Sequence, residues 1–255
     1  MQWATTAGLW VVLTGRAKGG PAGHVLNNST LASEMVAMWA GLAARYAQTD
    51  GIAGYEVLSE PRTDDAAQIH AFQVKACNAV WKHDSRASCL IGAGPFYSRY
   101  NVDQRYIIEG NVIYAANYLT PKPFTRDRLG GVVYPGAKVR CGDLVEKEEV
   151  PYACPNGNKD AAITFDKSFL RTLAAPFFDF TEKYNVPLWV DQWGLYGAAG
   201  GGGASVSAYM VRCVRLLIVV HRVLLLLLSF PSPPLNLANP CWSLLVHVLT
   251  SCIYE

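Results

Sequence analysis

The sequence has few charged residues and no excess of either sign. Lys and Arg total 22 against 20 Asp and Glu, and charged residues make up 16% of the 255 residues. A nearly neutral chain provides no electrostatic surface for nucleic acid or for an acidic partner. We therefore expect a neutral ligand and no nucleic-acid partner.

Cysteine and histidine do not occur in metal-binding patterns. The seven cysteines show no C-x-x-C spacing, and no histidine accompanies them at a ligand spacing. We therefore expect no metal site, and no cofactor is indicated. Cys141 and Cys154 bracket a loop, and they form a disulfide if the chain is secreted or else remain free thiols.

Signals for a secretory route are mixed. Asn27 and Asn28 begin two overlapping N-glycosylation sequons, which favour secretion. The N-terminus MQWATTAGLW lacks both the basic region and the cleavage site of a signal peptide. We expect an extracellular protein whose leader is missing from this sequence.

The sequence also lacks an uninterrupted apolar run that spans a bilayer. His221 and Arg222 interrupt the apolar stretch before it reaches the roughly 20 residues that a membrane helix needs. Residues 223–255, here called the tail, have neither strand punctuation nor a polar face, so we expect them to have no defined place in the barrel. A membrane helix and a translated intron are the alternatives for the tail.

Short apolar runs alternate with longer stretches of helical periodicity. This alternation predicts βα units around a parallel sheet, whose strands are apolar throughout because both faces are covered. The predicted strands are residues 9–15, 52–60, 88–94, 111–119 and 187–194. The predicted helices are residues 29–48, capped by Ser29 or Thr30, and 64–84, 165–185 and 204–217. The connection 121–163 is too long for a passive linker and is expected to shape a binding site.

Polar side chains at the carboxyl ends of the predicted strands are the candidates for function, since ligands bind at that end of βα barrels. They are Ser59, Glu60, Asn117, Tyr118, Asp191 and Gln192. Glu60 ends an apolar strand just before a proline, which suits a general acid. The alternative is a helix-capping acid or an ionic partner for Arg62.

Three motifs resemble glycoside hydrolase family 5, the cellulase-type (β/α)8 TIM barrels. They are MVAMWAGLAARYA, GYEVLSEP and VPLWVDQWG, in the order and at the spacing of the family, whose strand ends read GYxLxNEP and P-x-x-x-G-E-F-G. The resemblance covers strands three to seven and implies an incomplete barrel over residues 1–222. It also implies that Glu60 is the acid/base and that Gln192 occupies the position of the nucleophilic glutamate.

The same resemblance implies a sugar-binding cleft. Ser59 stands where the family has asparagine, Asn117 where it has histidine, and Tyr118 substitutes for the tyrosine that follows in the family pattern. Aromatic side chains near the strand ends are expected to stack on sugar rings, and here we expect Phe96, Tyr97 and Trp193 to do so.

Glutamine at position 192 puts catalysis in question. An amide binds a sugar hydroxyl but neither forms a stable glycosyl ester nor stabilises positive charge, so retaining activity should be lost and Gln192→Glu should raise it. Asp191 would replace it only if a bulge turned that side chain inward. A third route is a water-mediated reaction of Glu60 with a loop acid, namely Asp127, Asp143 or Glu146.

The sequence therefore predicts a monomeric glycosidase that cuts O-glycosidic bonds of β-linked polysaccharides, β-glucan or mannan. Its partner would be a polysaccharide or oligosaccharide. The alternatives are a carbohydrate-binding pseudoenzyme that keeps the cleft and a non-functional fragment.

Overall fold

The structure, a computed structural model, describes residues 2–17, 25–125, 132–193, 226–228 and 242–250. The predicted helix 204–217 and the loop acid Asp127 lie outside these residues. The chain divides into two compact units. The first comprises Met1–Ala116, Tyr184–Trp189 and Leu225–Glu255, and the second comprises Asn117–Lys183 and Val190–Leu224. The predicted division into residues 1–222 and a tail stays a prediction.

Strands and helices alternate through most of the described chain. The strands are β1 Trp10–Ala17, β2 Ile52–Glu56, β3 Ser88–Gly92, β4 Val112–Tyr118, β5 Lys138–Arg140, β6 Ala162–Thr164, β7 Leu188–Trp193, β8 Leu226–Leu228 and β9 Trp242–Thr250. The helices are α1 Gln2–Thr6, α2 Ser29–Tyr46, α3 Ala66–Trp81, α4 Lys122–Thr125, α5 Cys141–Leu144, α6 Val150–Ala153 and α7 Lys167–Tyr184. All five predicted strands and three of the four predicted helices are therefore confirmed.

Five parallel strands form a half-barrel in the order β7-β4-β3-β2-β1. The registers pair Thr14 with Glu56, Glu56 with Leu90, and Leu90 with Ile113. Residues paired in this way point to the same face of a sheet. The fold is the incomplete (β/α)8 barrel that the sequence predicted.

The two faces of the sheet are identified by what their side chains contact. Cys89 of β3 is bonded to Cys77 of α3, and the ring of Tyr55 of β2 meets Trp39 of α2 edge-on with centroids 5.9 Å apart. These residues therefore lie on the outer, helix-covered face. Because neighbours alternate along a strand, Glu56 and Leu90 lie on the opposite face, here called the inner face.

The cap of helix α2 is Asn28, one residue before the first of the two predicted caps. The side chain of Asn28 accepts hydrogen bonds from the backbone amides of Thr30 and Leu31, which satisfies two donors that the first turn leaves without an intrahelical partner. The expectation that Ser29 or Thr30 caps the helix was wrong. Asparagine is as good a cap as serine, so composition alone did not separate them.

The connection after β4 is folded. It contains the antiparallel pair β5–β6, and the disulfide Cys141–Cys154 closes it, which confirms the bonded alternative for these two cysteines. The second disulfide, Cys77–Cys89, was not predicted. It joins a helix to the strand that follows it, with both sulfurs buried, and no motif marks such a pair in a sequence.

Part of the tail belongs to the sheet. Strand β9 pairs antiparallel with β1 along its whole length, from Trp10↔Leu249 to Ala17↔Trp242, and β8 pairs with β9. This pairing was not predicted, and it arises because an edge strand leaves backbone groups that an apolar segment pairs with readily. The strand is antiparallel, so it is not an eighth barrel strand.

Candidate active site

The segment Val57–Glu60, which follows β2, is fixed by hydrogen bonds from four sides. The amide of Val57 donates to the Leu90 carbonyl at 3.3 Å, and the amide of Ser59 donates to the Gly15 carbonyl at 2.9 Å. The indole of Trp39 donates to the Val57 carbonyl at 2.9 Å, and the hydroxyl of Tyr97 donates to the Leu58 carbonyl at 2.9 Å. Such bracing holds a site residue in one geometry before a ligand arrives.

Glu60 ends this braced segment. Its side chain is 8% exposed, and its backbone has a φ of +50°. A glutamate in the left-handed region is strained by about 1–3 kcal/mol, and such strain is concentrated at functional sites. A nearly buried carboxyl group at the carboxyl end of a parallel strand is placed as a general acid requires.

Phe96 and Tyr97 lie in the turn after β3 and differ in exposure. The ring of Phe96 is 50% exposed, lies 5.6 Å from the guanidinium of Arg62, and its amide donates to the Pro61 carbonyl. Phe96 thus presents an aromatic face beside the Glu60 segment. Tyr97 is fully buried and packs against Gly92, which favours a structural role, and its sugar contact stays a prediction.

Asn117 and Tyr118, in the second unit, take opposite faces at the end of β4. Asn117 is half-buried and shares the inner face with Ala115, which is paired with Gly92. Tyr118 is 3% exposed, and its hydroxyl donates to the Leu170 carbonyl of α7 at 2.6 Å. Tyr118 therefore contacts α7, which favours a structural role, and its substrate contact stays a prediction.

Strand β7 carries Asp191, Gln192 and, as its last residue, Trp193. Asp191 is 5% exposed and Gln192 is half-buried. The predicted site residues of β7 and β4 belong to the second unit and those near Glu60 to the first. The pairing of Glu60 with Gln192 stays a prediction, as does the sugar contact of Trp193.

The other acids of the long connection are held in local interactions. Glu146 accepts a hydrogen bond from the ammonium of Lys122 at 2.6 Å, and Asp143 pairs with Arg140 at 2.8 Å. Glu149, which the sequence did not single out, is 1% exposed and accepts from the Thr120 hydroxyl at 3.4 Å and from the Glu146 amide. These contacts organise the connection and favour a structural role for all three acids.

A cavity of about 460 Å³ lies at the opposite ends of the strands. Trp10, Ile52 and Ala87 line it where β1, β2 and β3 begin, together with Asp50 and Asp84. Barrel chemistry occurs at the carboxyl ends of strands, so this cavity is not the candidate active site. Burial, and next the charge of Asp84, raises the pKa of the adjacent Tyr55 to about 12.

The described residues contain neither a metal-binding cluster nor a helix suited to cross a membrane. No group of three His, Cys, Asp or Glu side chains there is arranged to hold a metal ion. No helix in that part of the chain has the length and apolar character needed to cross a membrane.

Comparison with known proteins shows the fold. No family model and no curated protein matches the sequence. Endoglucanase Cel5A of Thermotoga maritima matches with a TM-score of 0.59 at 16% identity, over 81% of this chain and 60% of that chain. The same enzyme in a mutant form with cellobiose gives 0.62 at 17% identity, over 86% and 64%. A broad-specificity GH5-4 endoglucanase from an uncultured bovine rumen ciliate gives 0.60 at 11% identity, over 84% and 60%.

The chain thus has a fold similar to that of family 5 cellulases and spans less than two thirds of their length.

Two groups that position Glu60 were missed by sequence reasoning, the Trp39 indole and the Tyr97 hydroxyl. Both are aromatic residues with a polar atom, and such residues find a partner when they are buried. That rule could have indicated their hydrogen bonds but not the carbonyls that accept them.

Proposed function

We propose that this chain forms part of a glycoside hydrolase that acts on O-glycosidic bonds of β-linked polysaccharides, with Glu60 as the general acid. The observation that carries the proposal is the nearly buried side chain of Glu60, which follows β2 at the end of a hydrogen-bonded segment and has its backbone in the left-handed region. The similarity of the chain's fold to that of cellulases supports the substrate class, because crystal structures of Cel5A contain cellobiose and mannotriose.

Sugar contacts are assigned to side chains near the strand ends. Phe96 supplies an exposed aromatic face next to Pro61, and Asn117 supplies an amide on the inner face. Ser59, which precedes Glu60, and Trp193, the last residue of β7, are further proposed sugar contacts. No cofactor takes part, and the protein acts as a monomer. Two disulfides and two sequons support an extracellular location, since disulfides persist in oxidising compartments.

Substrates that differ in leaving group test the role of Glu60. A general acid protonates the leaving oxygen, so Glu60→Gln should slow cello-oligosaccharide hydrolysis by about 10²–10⁴-fold. It should slow hydrolysis of a dinitrophenyl β-cellobioside much less, because that leaving group departs without a proton. Glu182→Gln, on the exposed side of α7, is the matched control and should leave both rates unchanged. Equal rates for Glu60→Gln and the control on both substrates would refute the proposal.

The second candidate function is carbohydrate binding without hydrolysis. Glutamine at the position that the motif assigns to the nucleophile favours it. Calorimetric titration with cello- and manno-oligosaccharides would show binding in the absence of turnover. Phe96→Ala should then weaken binding while Tyr97→Phe should not, because only the ring of Phe96 is exposed.

A further inference from the structure

The cavity at the amino-terminal ends of β1, β2 and β3 is separate from the Glu60 site. All of its lining residues belong to the first unit, and most lie in the segments that precede these three strands. Its volume of about 460 Å³ lies within the range of about 300–1,000 Å³ that is usual for small-molecule sites. Strand β2 has five residues, so the cavity lies about 13 Å from the carboxyl end of that strand.

Asp84 places a nearly buried carboxylate in the wall of this cavity. Its side chain is 6% exposed, and the Nε atom of its ionic partner Arg86 lies 3.8 Å from the carboxylate Oδ1. That distance is too long for a hydrogen bond, and within the described part of the chain no other group donates one to this carboxylate. A buried charge without donors is unfavourable, so a ligand that brings hydroxyl groups meets two strong acceptor oxygens here.

The charged residues of the lining disfavour an anion. Asp50 and Asp84 contribute two carboxylates, whereas Arg86 contributes one guanidinium. An amino group of that guanidinium already donates to the Ala47 carbonyl at 2.6 Å. The cavity therefore has an excess of acceptors over donors, which suits a neutral ligand rich in hydroxyl groups.

Trp10 adds an aromatic surface to the same cavity. It is the first residue of β1, and it is 51% exposed although tryptophan is usually largely buried. An indole is a flat apolar surface, and a pyranose ring has a matching face of C–H groups while its hydroxyl groups extend from the edge. An exposed indole and a carboxylate without donors together fit both parts of a sugar.

We infer that this cavity is a second carbohydrate-binding site, at which the ring of Trp10 and the carboxylate of Asp84 bind a neutral β-linked saccharide. The inference rests on the proposed function for the class of sugar. Hydroxyl groups of the saccharide donate to Asp84, the Trp10 ring covers its C–H face, and no covalent bond is made or broken. Such a contact keeps the enzyme on a polysaccharide between cuts, because a second point of attachment raises the effective concentration of the first.

Calorimetric titration of the 255-residue chain with thio-linked cellotetraose tests the inference, because sulfur linkages resist hydrolysis. The wild type should bind two molecules per chain, one at the Glu60 site and one at the cavity. Trp10→Ala should abolish binding at the cavity, and the isosteric Asp84→Asn should weaken it by about tenfold or more. Trp3→Ala is the matched control and should keep both sites, because Trp3 is 58% exposed on α1 and lies outside the lining. Thermal unfolding checks that each variant is folded.

The possible outcomes separate this inference from the proposed function. A single site that is lost in Phe96→Ala and unchanged in Trp10→Ala overturns the inference and leaves the proposed function intact. A second site that weakens equally in Trp3→Ala also overturns it. Tighter Trp10-dependent binding of tetramethylammonium than of the saccharide would mark a cation site and overturn it as well. A chain that neither binds thio-linked cellotetraose nor hydrolyses cellohexaose refutes both the inference and the proposed function.

Discussion

Replacing Tyr97 by Phe tests whether the hydroxyl of this residue stabilises the segment before Glu60 or whether its ring stacks on a sugar. The hydroxyl of Tyr97 donates to the Leu58 carbonyl at 2.9 Å inside the protein, two residues before Glu60. Phenylalanine keeps the ring that fills the space beside Gly92, so no cavity forms. The loss is therefore one buried hydrogen bond, about 1–2 kcal/mol of unfolding free energy.

Urea unfolding followed by tryptophan fluorescence measures this loss. With a slope of about 3 kcal/mol per molar, the midpoint of Tyr97→Phe should fall by roughly 0.5 M. Phe96→Ala, one residue earlier and half exposed, should stay within about 0.5 kcal/mol of the wild type. An unchanged midpoint for Tyr97→Phe, or a larger loss of unfolding free energy for Phe96→Ala, would refute the structural role of the Tyr97 hydroxyl.

Three further predictions concern stability. Burial raises the pKa of Tyr55 to about 12, so the contribution of its neutral hydroxyl to stability is complete below pH 10 and is lost as the pH rises toward 12. At pH 11 the unfolding free energy of the wild type should be about 1.4 kcal/mol lower than at pH 8, whereas Tyr55→Phe should not show this loss. Urea unfolding at pH 8 and pH 11 measures the difference. Replacing Cys141 and Cys154 by Ser removes a disulfide between residues 13 apart and should lower the unfolding free energy by about 3 kcal/mol. Equal unfolding temperatures for the reduced and the oxidised wild type would contradict this. Asn28→Ala removes the α2 cap and should cost about 1 kcal/mol in thermal unfolding, whereas equal losses for Asn28→Ala and the neighbouring Asn27→Ala would contradict this.

The parts of the fold that depend on local patterns could be predicted from the sequence. The predicted strands agree with the structure because a parallel strand covered on both faces is a continuous apolar run, and α2 and α3 agree because their apolar residues recur at helical spacing. The Cys141–Cys154 disulfide was one of two readings that its short loop allowed. None of these predictions needed a contact between distant parts of the chain.

The parts that depend on distant contacts were missed. The pairing of β9 with β1 joins Trp10 to Leu249, and no local pattern determines such a register. The bond between Cys77 and Cys89 depends on how α3 lies on β3. The roles of Tyr97 and Tyr118 depend on which way each ring points at a strand end, where one residue of displacement exchanges the two faces.

The same displacement explains why a motif and a sheet disagree about β7. The motif resemblance aligns Gln192 with a glutamate because the flanking apolar and glycine residues match, and such matching carries no information on which face a side chain takes. The face is set by Trp189, whose bulky ring is accommodated in the cluster with Leu90 and Ala115. Moving Gln192 to the inner face would turn Trp189 out of that cluster, at a cost of about 3–5 kcal/mol if it equals the loss of a buried tryptophan. By strand alternation, Asp191 is expected on the face of Trp189 and Gln192 on the other, and the catalytic role that the motif gives Gln192 stays a prediction.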